Sequence, residues 1–468
     1  MSTPGMSTLG MSTGHRLNAA TLALVRPGVA VPNYDVGQLK PGIVHLGVGA
    51  FHRCHQAVIT EDVINSVGGD WGIIGSSLRS PDVKDLLVPQ DYLYTVNYAA
   101  ESHRYRVIGL LREIIVGSVT PELLLSAMAA QGVHVITLTV TEKAYRLGPD
   151  GLLEFNHPDI LADLAGQGAP RSVVGWLAYG LQQRMQAGGA PVTVISCDNL
   201  ALNGESLGRA VVTFAERLDP ALARWIGREV TFPNSVVDSI VPACDAALRE
   251  RVAAALGMED RACVQREPYS QWVIQNRFAG PRPQWERGGA EIVDDVASYG
   301  LLKLRVLNAA HSAMAYLGLP RGHTYVFQAV ADPELMQQID QMILAEVAPA
   351  LASLDVAGYW KITRERFANP GIFHRLSQIA EDGSKKLVQR IFPTLIENAA
   401  TGRPHARLAQ TVRAWLDVVG AGHPDPERAW AERWFASRAG VDVALENADV
   451  FPDPFRTNIA LRQAMGAE

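Results

Sequence analysis

The sequence predicts an α/β domain with a mostly parallel sheet, followed by a mostly helical C-terminal domain. Between Gly42 and about Asp295, apolar runs rich in β-branched residues alternate with stretches whose apolar residues recur at helical spacing. That alternation is typical of parallel strands joined by helical crossovers. From about Tyr299 onward the strand signals fade, and amphipathic helical patterns take over. A segment rich in Pro and Gly, residues 278–295, separates the two parts.

Four continuous apolar runs are the predicted strands of the sheet, because strands covered on both faces carry few polar residues. They are residues 42–50, 71–78, 133–140 and 191–198. Helical patterns at 121–130 and 172–186 lie between the later runs. The runs 91–98 and 104–117 favour an antiparallel meander inserted after the second strand.

The predicted domain boundaries follow from these patterns. Residues 39–296 form the α/β domain, and residues 297–468 form the helical domain. Residues 1–38 are expected to be a flexible tail and lead-in, since Met-Ser-Thr occurs three times near the start with Gly close by.

Composition narrows the range of functions. The chain has 42 basic and 48 acidic residues and a net charge of −6, which disfavours a nucleic-acid or anionic-membrane binder. No apolar run approaches the about 18 residues that span a bilayer, and the start lacks the apolar core of a secretory leader. Four cysteines without a Cys-x-x-Cys motif do not indicate a disulfide framework. We therefore expect a cytoplasmic protein with a small-molecule substrate.

The stretch GVGAFHRCHQ, which starts at Gly47, combines two motifs. Gly47 and Gly49 follow a predicted strand and open a predicted helix, the context of a dinucleotide-binding turn. Glycine lets the backbone approach a pyrophosphate, and the helix start offers N–H donors. However, His52 stands where the usual third glycine would be, so a tight strand-to-helix turn without a ligand is the alternative.

The same stretch also carries potential metal ligands. His52, Cys54 and His55 crowd together, but zinc needs three or four ligands, and no second His/Cys pair lies at a metal-like spacing. We therefore predict no metal site.

The end of the second strand normally carries an acid that binds the adenosine ribose. Here the chain offers Ser76, Ser77 and Arg79, with no acid before Asp82. Arg79 would suit the 2′-phosphate of NADP, so the residues leave NAD and NADP open.

Three polar residues lie on an otherwise apolar helical pattern, YGLLKLRVLNAAHSAMAYLG. At about 100° per residue, Lys303, Asn308 and His311 share one broad helix face. A desolvated lysine beside polar partners can act as a general base. Alternatively, Lys303 reaches solvent while Asn308 and His311 bond to each other in the core. Tyr299 and Lys303 also form the Tyr-x-x-x-Lys pair of short-chain dehydrogenases, but the pair falls beyond the nucleotide domain, so we interpret it as coincidence.

Six ordered motifs resemble those of the polyol-specific long-chain dehydrogenases, the mannitol dehydrogenase family. They span about residues 40 to 390 and are GVGAFHRCHQ (47–56), SCDNLALNG (196–204), FPNSVVDSIVP (232–242), EPYSQWVI (267–274), KLRVLNAAHSAMAYLG (303–318) and DGSKKL (382–387). The resemblance implies a Rossmann-type domain, a helical C-terminal domain, no metal, and NAD(P)-linked oxidation of a secondary alcohol.

The resemblance also implies roles for individual residues. Lys303 matches the general base, Asn308 and His311 match its partners, and Asn199 and Asp238 match polar residues of the reaction site. The residues expected to contact the NAD or NADP cofactor are Gly47, Gly49, Phe51, Arg79, Glu142 and Asn199.

One position departs from the family pattern. Gly300 stands where family members commonly carry Glu, which leaves Glu142 as the acid for a proton relay. The alternative to an enzyme is a non-catalytic sensor on the same fold, which would have no need for a base.

Two kinds of substrate compete: a sugar acid of the D-mannonate/D-fructuronate type, and a polyol as in mannitol 2-dehydrogenase or arabinitol 4-dehydrogenase. The segment around Gln378 is more similar to fructuronate reductases, because mannitol 2-dehydrogenases tend to carry Arg there. A sugar acid needs a cationic partner for its carboxylate. The candidate substrate-binding residues near this segment are His374, Arg375 and Lys386, with Arg390 as a further cation; the alternative is a solvated helix face. By analogy with the family, we expect a monomer.

Overall fold

The computed structural model describes residues 14–100, 102–148, 150–437 and 441–466. Contacts within the chain divide it into two compact units, the first ending at Val296 and the second beginning at Ala297. Each unit contains its own buried apolar cluster, so each is described separately.

The first unit is built on a six-stranded sheet. The strands of the described chain are β1 (Pro41–Leu46), β2 (Gly72–Ser77), β3 (Tyr94–Tyr98), β4 (Arg104–Ile108), β5 (Leu111–Val116), β6 (Val135–Leu138), β7 (Val192–Ser196), β8 (Val230–Thr231), β9 (Ser235–Asp238), β10 (Val264–Arg266), β11 (Gln271–Gln275) and β12 (Glu291–Val293). The large sheet has the order β5-β2-β1-β6-β7-β8, and all its pairs are parallel. The predicted parallel sheet is therefore confirmed.

The strands are apolar along their length because both faces of the sheet are covered. On β1, Val44 and Leu46 belong to one core cluster, whereas Ile43 belongs to the cluster on the other face. The same alternation separates Ile136 from Val135 on β6. A strand with two buried faces carries mostly apolar residues, which is why the runs are nearly continuous. The buried polar residues His45 of β1 and Thr137 of β6 bond to each other.

The strand order reverses at β1. Its neighbours are β2 on one side and β6 on the other, so the crossovers leave β1 in opposite directions. In open parallel sheets a crevice forms at such a switch point, outside the carboxyl ends of the two strands, and ligands bind there.

Helices cover this sheet and form the connections between its strands. Those of the first unit are α1 (Ala50–Cys54), α2 (Gln56–Val67), α3 (Asp82–Leu87), α4 (Pro121–Ala129), α5 (Pro158–Leu164), α6 (Val173–Gln186), α7 (Asn203–Leu218), α8 (Pro220–Glu229) and α9 (Ala246–Leu256). Short 3-10 turns occur at Leu22–Leu24, Val88–Gln90, Glu142–Tyr145 and Trp285–Gly288. The predicted helices at 121–130 and 172–186 correspond to α4 and α6.

The predicted antiparallel meander is only half right. β3 and β4 pair antiparallel, but in a separate three-stranded sheet that also contains β10. The apolar run 104–117 divides into two strands, and its second part, β5, pairs parallel with β2 at the edge of the large sheet. The sequence favours one strand because aliphatic residues lie on both sides of Gly109, and only the change of sheet separates the two halves.

The lead-in to the first strand is more ordered than expected. Residues 1–13 of the predicted tail lie outside the described residues. From residue 14 onward the chain packs on the rest of the first unit. Leu17 is buried, Leu17 N donates to Glu259 O, and Ala30 forms an isolated β-bridge with Arg106. Burial of Leu17 among Leu248, Val252 and Leu256 of α9 holds this segment.

The second unit is helical, as predicted. Its α-helices are α10 (Ala297–Leu302), α11 (Ala309–Gly318), α12 (Val326–Val330), α13 (Pro333–Gln341), α14 (Val356–Phe367), α15 (Leu376–Ala380), α16 (Gly383–Arg390), α17 (Phe392–Thr401), α18 (Ala406–Gly420), α19 (Arg428–Ser437), α20 (Val441–Leu445), α21 (Pro454–Thr457) and α22 (Ile459–Met465). π-Helical segments occur at Lys303–Asn308 and Met342–Val347, and 3-10 turns at Leu319–Arg321 and Ala348–Leu351. The core packs around α11 and α18.

None of the helices in the described ranges combines the length and apolar character that a membrane crossing requires.

Acid should destabilise the first unit through His45. Its ring is fully buried, with Nδ1 2.7 Å from Thr137 Oγ1, and burial lowers its pKa from 6.5 to about 3. Below pH 6.5 the unfolded chain therefore binds a proton that the folded chain excludes. We expect this histidine to cost about 2 kcal/mol of unfolding free energy between pH 7 and pH 5.

Urea unfolding of the wild type and of His45→Gln at both pH values measures this cost. The variant should lose less stability on acidification, whereas His15→Gln, which replaces an exposed histidine, should behave like the wild type. Identical pH slopes for all three proteins would contradict the assignment to His45.

Candidate functional site

The glycine turn lies at the switch point of the large sheet. Gly47 directly follows β1 and has a φ of +94°, and a Cβ there would overlap the carbonyl oxygen of Thr139 at the end of β6. The N–H groups of Gly47 and Val48 donate to Ser76 O at 2.8 and 3.1 Å. The turn is therefore fixed between the carboxyl ends of β2 and β6, and glycine is required at position 47.

Gly49 caps the N-terminus of α1 and faces open space. The nearest heavy atom to a Cβ built on Gly49 would be Gly47 O at 3.9 Å. The first N–H groups of a helix have no acceptor within that helix, so they suit an anionic group that approaches the turn. The turn thus has the open space and the donors that a pyrophosphate requires.

The His-rich part of the motif packs behind the turn. The His52 ring stacks on His45 with centroids 3.4 Å apart, and His55 stacks on Phe51 at 5.0 Å. Cys54 Sγ lies 3.4 Å from Gln265 O, and His55 Nε2 lies 2.8 Å from Gln271 O. Among the described residues, no group of three or more His, Cys, Asp or Glu side chains is arranged to hold a metal ion.

A buried carboxylate connects the ends of β6 and β7, and sequence reasoning missed it. Asp198 Oδ1 accepts from Val140 N at 2.9 Å and from Thr141 N at 2.8 Å, and Oδ2 accepts from the Tyr145 hydroxyl at 2.7 Å. Burial raises the pKa of Asp198 to about 6, although these donors oppose the shift. Thr141 is held at a φ of +73°, so the carboxylate stabilises an uncommon backbone conformation at the switch point.

Asn203 connects this loop to β9. Its Nδ2 donates to Ser196 O, Asp198 O and Ser235 O at 3.0 to 3.1 Å, and its Oδ1 accepts from Ser235 N at 2.8 Å. The candidate residue Asn199 is exposed and follows Asp198 directly, so the loop that carries it is fixed on both sides. Asp238, at the end of β9, is buried.

The other cofactor candidates lie at strand ends of the same sheet. Arg79 is exposed after β2, and its carbonyl accepts from Ser118 Oγ at 3.0 Å. Glu142 is exposed at the start of the 3-10 turn after β6, and its charge contributes to raising the pKa of Asp198. Phe51 lies half-buried in α1.

In the second unit, Lys303 and Asn308 begin and end a π-helical turn. Sequence reasoning assumed an α-helix, in which residues five apart lie about 140° from each other and share only a broad face. Hydrogen bonds in a π-helix join residues five apart, so Lys303 and Asn308 lie closer to one side than α-helical spacing allows. Single π-turns are frequent at functional sites. Both residues are half-buried, whereas His311 on α11 is buried.

Cationic and imidazole side chains surround His311. Its ring stacks on Phe367 with centroids 4.1 Å apart and meets His374 edge-on at 5.2 Å. Burial is the largest of the causes that lower the pKa of His311 well below its ordinary value. The charges of four neighbours act in the same direction: His374, Arg390, Arg366 and Lys386. His311 is therefore neutral, and its Nε2 is buried without a hydrogen-bond partner among the described residues.

Helix α16 carries two of these cations, Lys386 near its start and Arg390 at its end. Asp425 Oδ2 accepts from Ser384 N at 2.9 Å, and this bond holds the start of the helix. Lys386 Nζ then donates to Ile379 O at 3.1 Å, and Arg390 Nη1 donates to Ser312 Oγ at 3.1 Å beside His311. Burial and the neighbouring Arg390 lower the pKa of Lys386. Burial, and to a lesser degree the charge of Lys386, lowers the pKa of His374 to about 4.

The structure separates Arg375 from this cluster. Its guanidinium lies over the ring of Tyr325, 5.2 Å from the centroid, and the residue is exposed. Arg366 of α14 takes part instead, although the sequence offered no motif for it; it is only 8% exposed. A surface groove of about 550 Å³ along α13, lined by residues such as Met336 and Leu344, contains none of the predicted site residues.

These features define the class of protein: a Rossmann-type sheet with a glycine turn at its switch point, joined in sequence to a helical unit that carries a polar, cationic cluster. The chain belongs to the mannitol dehydrogenase family. Residues 41–287 match the mannitol dehydrogenase Rossmann domain, and residues 295–428 match the mannitol dehydrogenase C-terminal domain. The predicted family is therefore confirmed, and the chain is an oxidoreductase of that family.

Several characterised relatives align over most of the chain. D-mannonate oxidoreductase of Escherichia coli is 38% identical, over 83% of this chain and 82% of the relative. Mannitol 2-dehydrogenase of Phaeosphaeria nodorum is 37% identical, over 86% of this chain and 72% of the relative. Among solved structures, the complex of Pseudomonas fluorescens mannitol 2-dehydrogenase with NAD and D-mannitol is 32% identical, covers 97% of this chain and 96% of its own, and gives a TM-score of 0.86.

Substitution of Gly47 and of Gly49 should distinguish a position that requires glycine from a position that has room for a side chain. Gly47→Ala places a side chain at positive φ against Thr139, so we expect a loss of about 1–3 kcal/mol in unfolding free energy. Gly49→Ala meets no close contact and should cost less than about 1 kcal/mol. Urea midpoints of the two variants provide the comparison, and equal losses would show that the Thr139 contact does not limit position 47.

Proposed function

We propose that this protein is an NAD(P)-dependent dehydrogenase that interconverts a secondary alcohol and a ketone of a sugar acid, of the D-mannonate/D-fructuronate type. In this proposal Lys303 is the general acid/base, no metal takes part, and the enzyme works as a monomer. The similarity to D-mannonate oxidoreductase supports this substrate class. The similarity to mannitol 2-dehydrogenases supports the alternative, a polyol dehydrogenase.

The observation that carries the sugar-acid proposal is the cationic cluster around His311. Arg366, Lys386 and Arg390 all act on this buried imidazole, and none of them is fully solvated. A substrate carboxylate would gain charge-assisted hydrogen bonds from such groups. A neutral polyol offers only hydroxyl groups, which form weaker hydrogen bonds with cations than a carboxylate does.

The glycine turn supports the cofactor proposal. Gly47, Gly49 and Phe51 would hold the pyrophosphate, with Arg79, Glu142 and Asn199 as further contacts. NAD is the proposed cofactor because the similar mannitol 2-dehydrogenase was solved with it. NADP is the second candidate cofactor, because the guanidinium of Arg79 suits a 2′-phosphate. When bound, the nicotinamide supplies the hydride chemistry.

The remaining chemistry belongs to the side chains of this chain. In the oxidation direction neutral Lys303 accepts the hydroxyl proton, and Asn199 and Asn308 donate hydrogen bonds to the oxygen as it gains charge. In the reduction direction protonated Lys303 returns the proton. Neutral His311, with its buried Nε2, would orient a substrate hydroxyl, and Asp238 would accept a hydrogen bond from another.

Lys303→Ala should lower turnover strongly while leaving NADH binding and folding intact. Loss of a general acid/base typically lowers kcat by about 10²–10⁴-fold. Spectrophotometric assays at several pH values, with and without a small primary amine, measure the loss and its rescue. Recovery should follow the concentration of neutral amine. Lys361→Ala, an exposed lysine on α14, is the matched control. Near-normal turnover of Lys303→Ala would refute the assignment.

Substitution of Lys386 tests the carboxylate contact. We expect Lys386→Met to raise KM for fructuronate about tenfold or more, and to change KM for fructose much less, because only fructuronate carries the anion. The neighbouring Lys385 is exposed, and Lys385→Met should leave both constants unchanged. Equal effects of Lys386→Met on both ketoses would remove the residue as the anion contact.

A substrate panel separates the candidate functions. NADH and NADPH oxidation is followed with fructuronate, tagaturonate and fructose, and the reverse reaction with mannitol and arabinitol. The proposal expects kcat/KM to be largest for a uronate. A preference for mannitol or arabinitol would establish the polyol alternative, and cofactor binding without turnover of any compound would indicate a sensor.

A further inference from the structure

Two of the four cysteines lie side by side in the first unit. Cys244 and Cys263 are free thiols whose Sγ atoms are 3.7 Å apart. A disulfide joins sulfur atoms about 2.05 Å apart, so closing the gap requires a movement of roughly 1.7 Å, which side-chain rotation can provide. Neither residue belongs to the proposed reaction site.

The two thiols differ in access. Cys244 is half-buried between the exposed residues Ala243 and Asp245, in the loop between β9 and α9. Cys263 lies beneath it, only 2% exposed, within the cluster formed by Leu248 and Val252 of α9. A dissolved oxidant therefore reaches Cys244 first.

The two thiols also differ in acidity. A hydrogen bond from the Cys263 thiol and the guanidinium of Arg249, whose Nη1 is 4.0 Å from Cys244 Sγ, lower the pKa of Cys244 to about 7 against the effect of burial. The same bond and burial raise the pKa of Cys263. Cys244 is thus the nucleophile, and Cys263 is the second thiol. An accessible thiolate beside a second cysteine is the usual arrangement of a redox-sensitive pair.

We propose that Cys244 and Cys263 form a dithiol that hydroperoxides oxidise to a reversible intramolecular disulfide. The Cys244 thiolate attacks a peroxide oxygen of ROOH, so an S–O bond forms, the O–O bond breaks, and RO⁻ leaves and takes up a proton as ROH. Cys263 sulfur then displaces the hydroxyl of the sulfenic acid, and its proton leaves with that hydroxyl as water. Two electrons pass from the sulfur atoms to the peroxide, and a thiol reductant reverses the reaction.

The bond would tie together two segments that lead to candidate site residues. Cys244 follows β9, which ends at Asp238. Next to Cys263, the Ala262 carbonyl accepts from Arg53 Nη1 at 2.5 Å, and Arg266 Nη1 donates to Cys54 O at 2.9 Å, so this strand is bonded to α1. The disulfide would therefore restrict the segment 244–263, which includes α9. Any effect on turnover rests on the proposed function, whereas formation of the bond does not.

Mass spectrometry of the full-length protein tests the proposal without an activity assay. The reduced protein is treated with hydrogen peroxide or tert-butyl hydroperoxide, alkylated under denaturing conditions and digested. We expect a loss of about 2 Da per chain, alkylation of two cysteines instead of four, and a peptide pair cross-linked through Cys244 and Cys263, all restored by dithiothreitol. Cys54 and Cys197, which are buried, serve as internal controls in the same digest.

Two variants separate the steps. In Cys263→Ser, Cys244 should stop at the sulfenic acid and react with dimedone. In Cys244→Ser, Cys263 should remain a thiol at peroxide concentrations that fully oxidise the wild type. Oxidation of Cys54 or Cys197 at the same rate, a bond between two chains, or Cys244 oxidised in the wild type without a link to Cys263 would each overturn the proposal. So would four free thiols after peroxide treatment.

Discussion

The close approach of Gly47 to the carbonyl group of Thr139 is the constraint on which the first unit depends. It brings the end of β1 against the end of β6 at the point where the strand order reverses, and it permits only glycine at position 47. The positive φ of that residue turns the chain into α1, so the helix start and its N–H groups face the crevice. Asp198 holds the opposite wall by bonding the backbone of Val140 and Thr141.

In the second unit, polar groups lie within an apolar helical core. A π-turn brings Lys303 and Asn308 toward one side of their helix. Helix α16 carries Lys386 and Arg390, and Arg390 bonds to Ser312 of α11. The buried His311 remains neutral among these cations, so its ring can exchange hydrogen bonds without adding another charge. The proposal of an anionic substrate rests on this concentration of cations.

Local patterns predicted the parts of the fold that local physics determines. Nearly continuous apolar runs located β1, β2, β6 and β7, because strands buried on both faces carry mostly apolar residues. The Gly-x-Gly motif located the turn. The departure of β5 from the meander was not predictable, since apolar residues 104–117 continue through the change of sheet. The family itself could be recognised because six motifs keep their order along the chain.

The candidate site was only partly predictable, because several of its contacts join residues that are far apart in the sequence. Asp198 and Asn203 act through contacts with distant backbone, which no spacing in the sequence reveals. The π-turn at Lys303–Asn308 was not predicted, because it depends on which backbone hydrogen bonds form and the sequence analysis assumed α-helical spacing. Arg366 and Arg375 are both arginines near apolar segments, and only tertiary packing places one beside His311 and the other over Tyr325.

The central claim is that the crevice between β1 and β6 binds the dinucleotide. Hydrogen–deuterium exchange of the intact protein with and without NAD tests this claim most directly. The account predicts slower exchange, on adding NAD, in peptides that cover Gly47–Phe51 and Thr139–Thr141. Saturable NAD binding that protects other segments and leaves these two unchanged would contradict it.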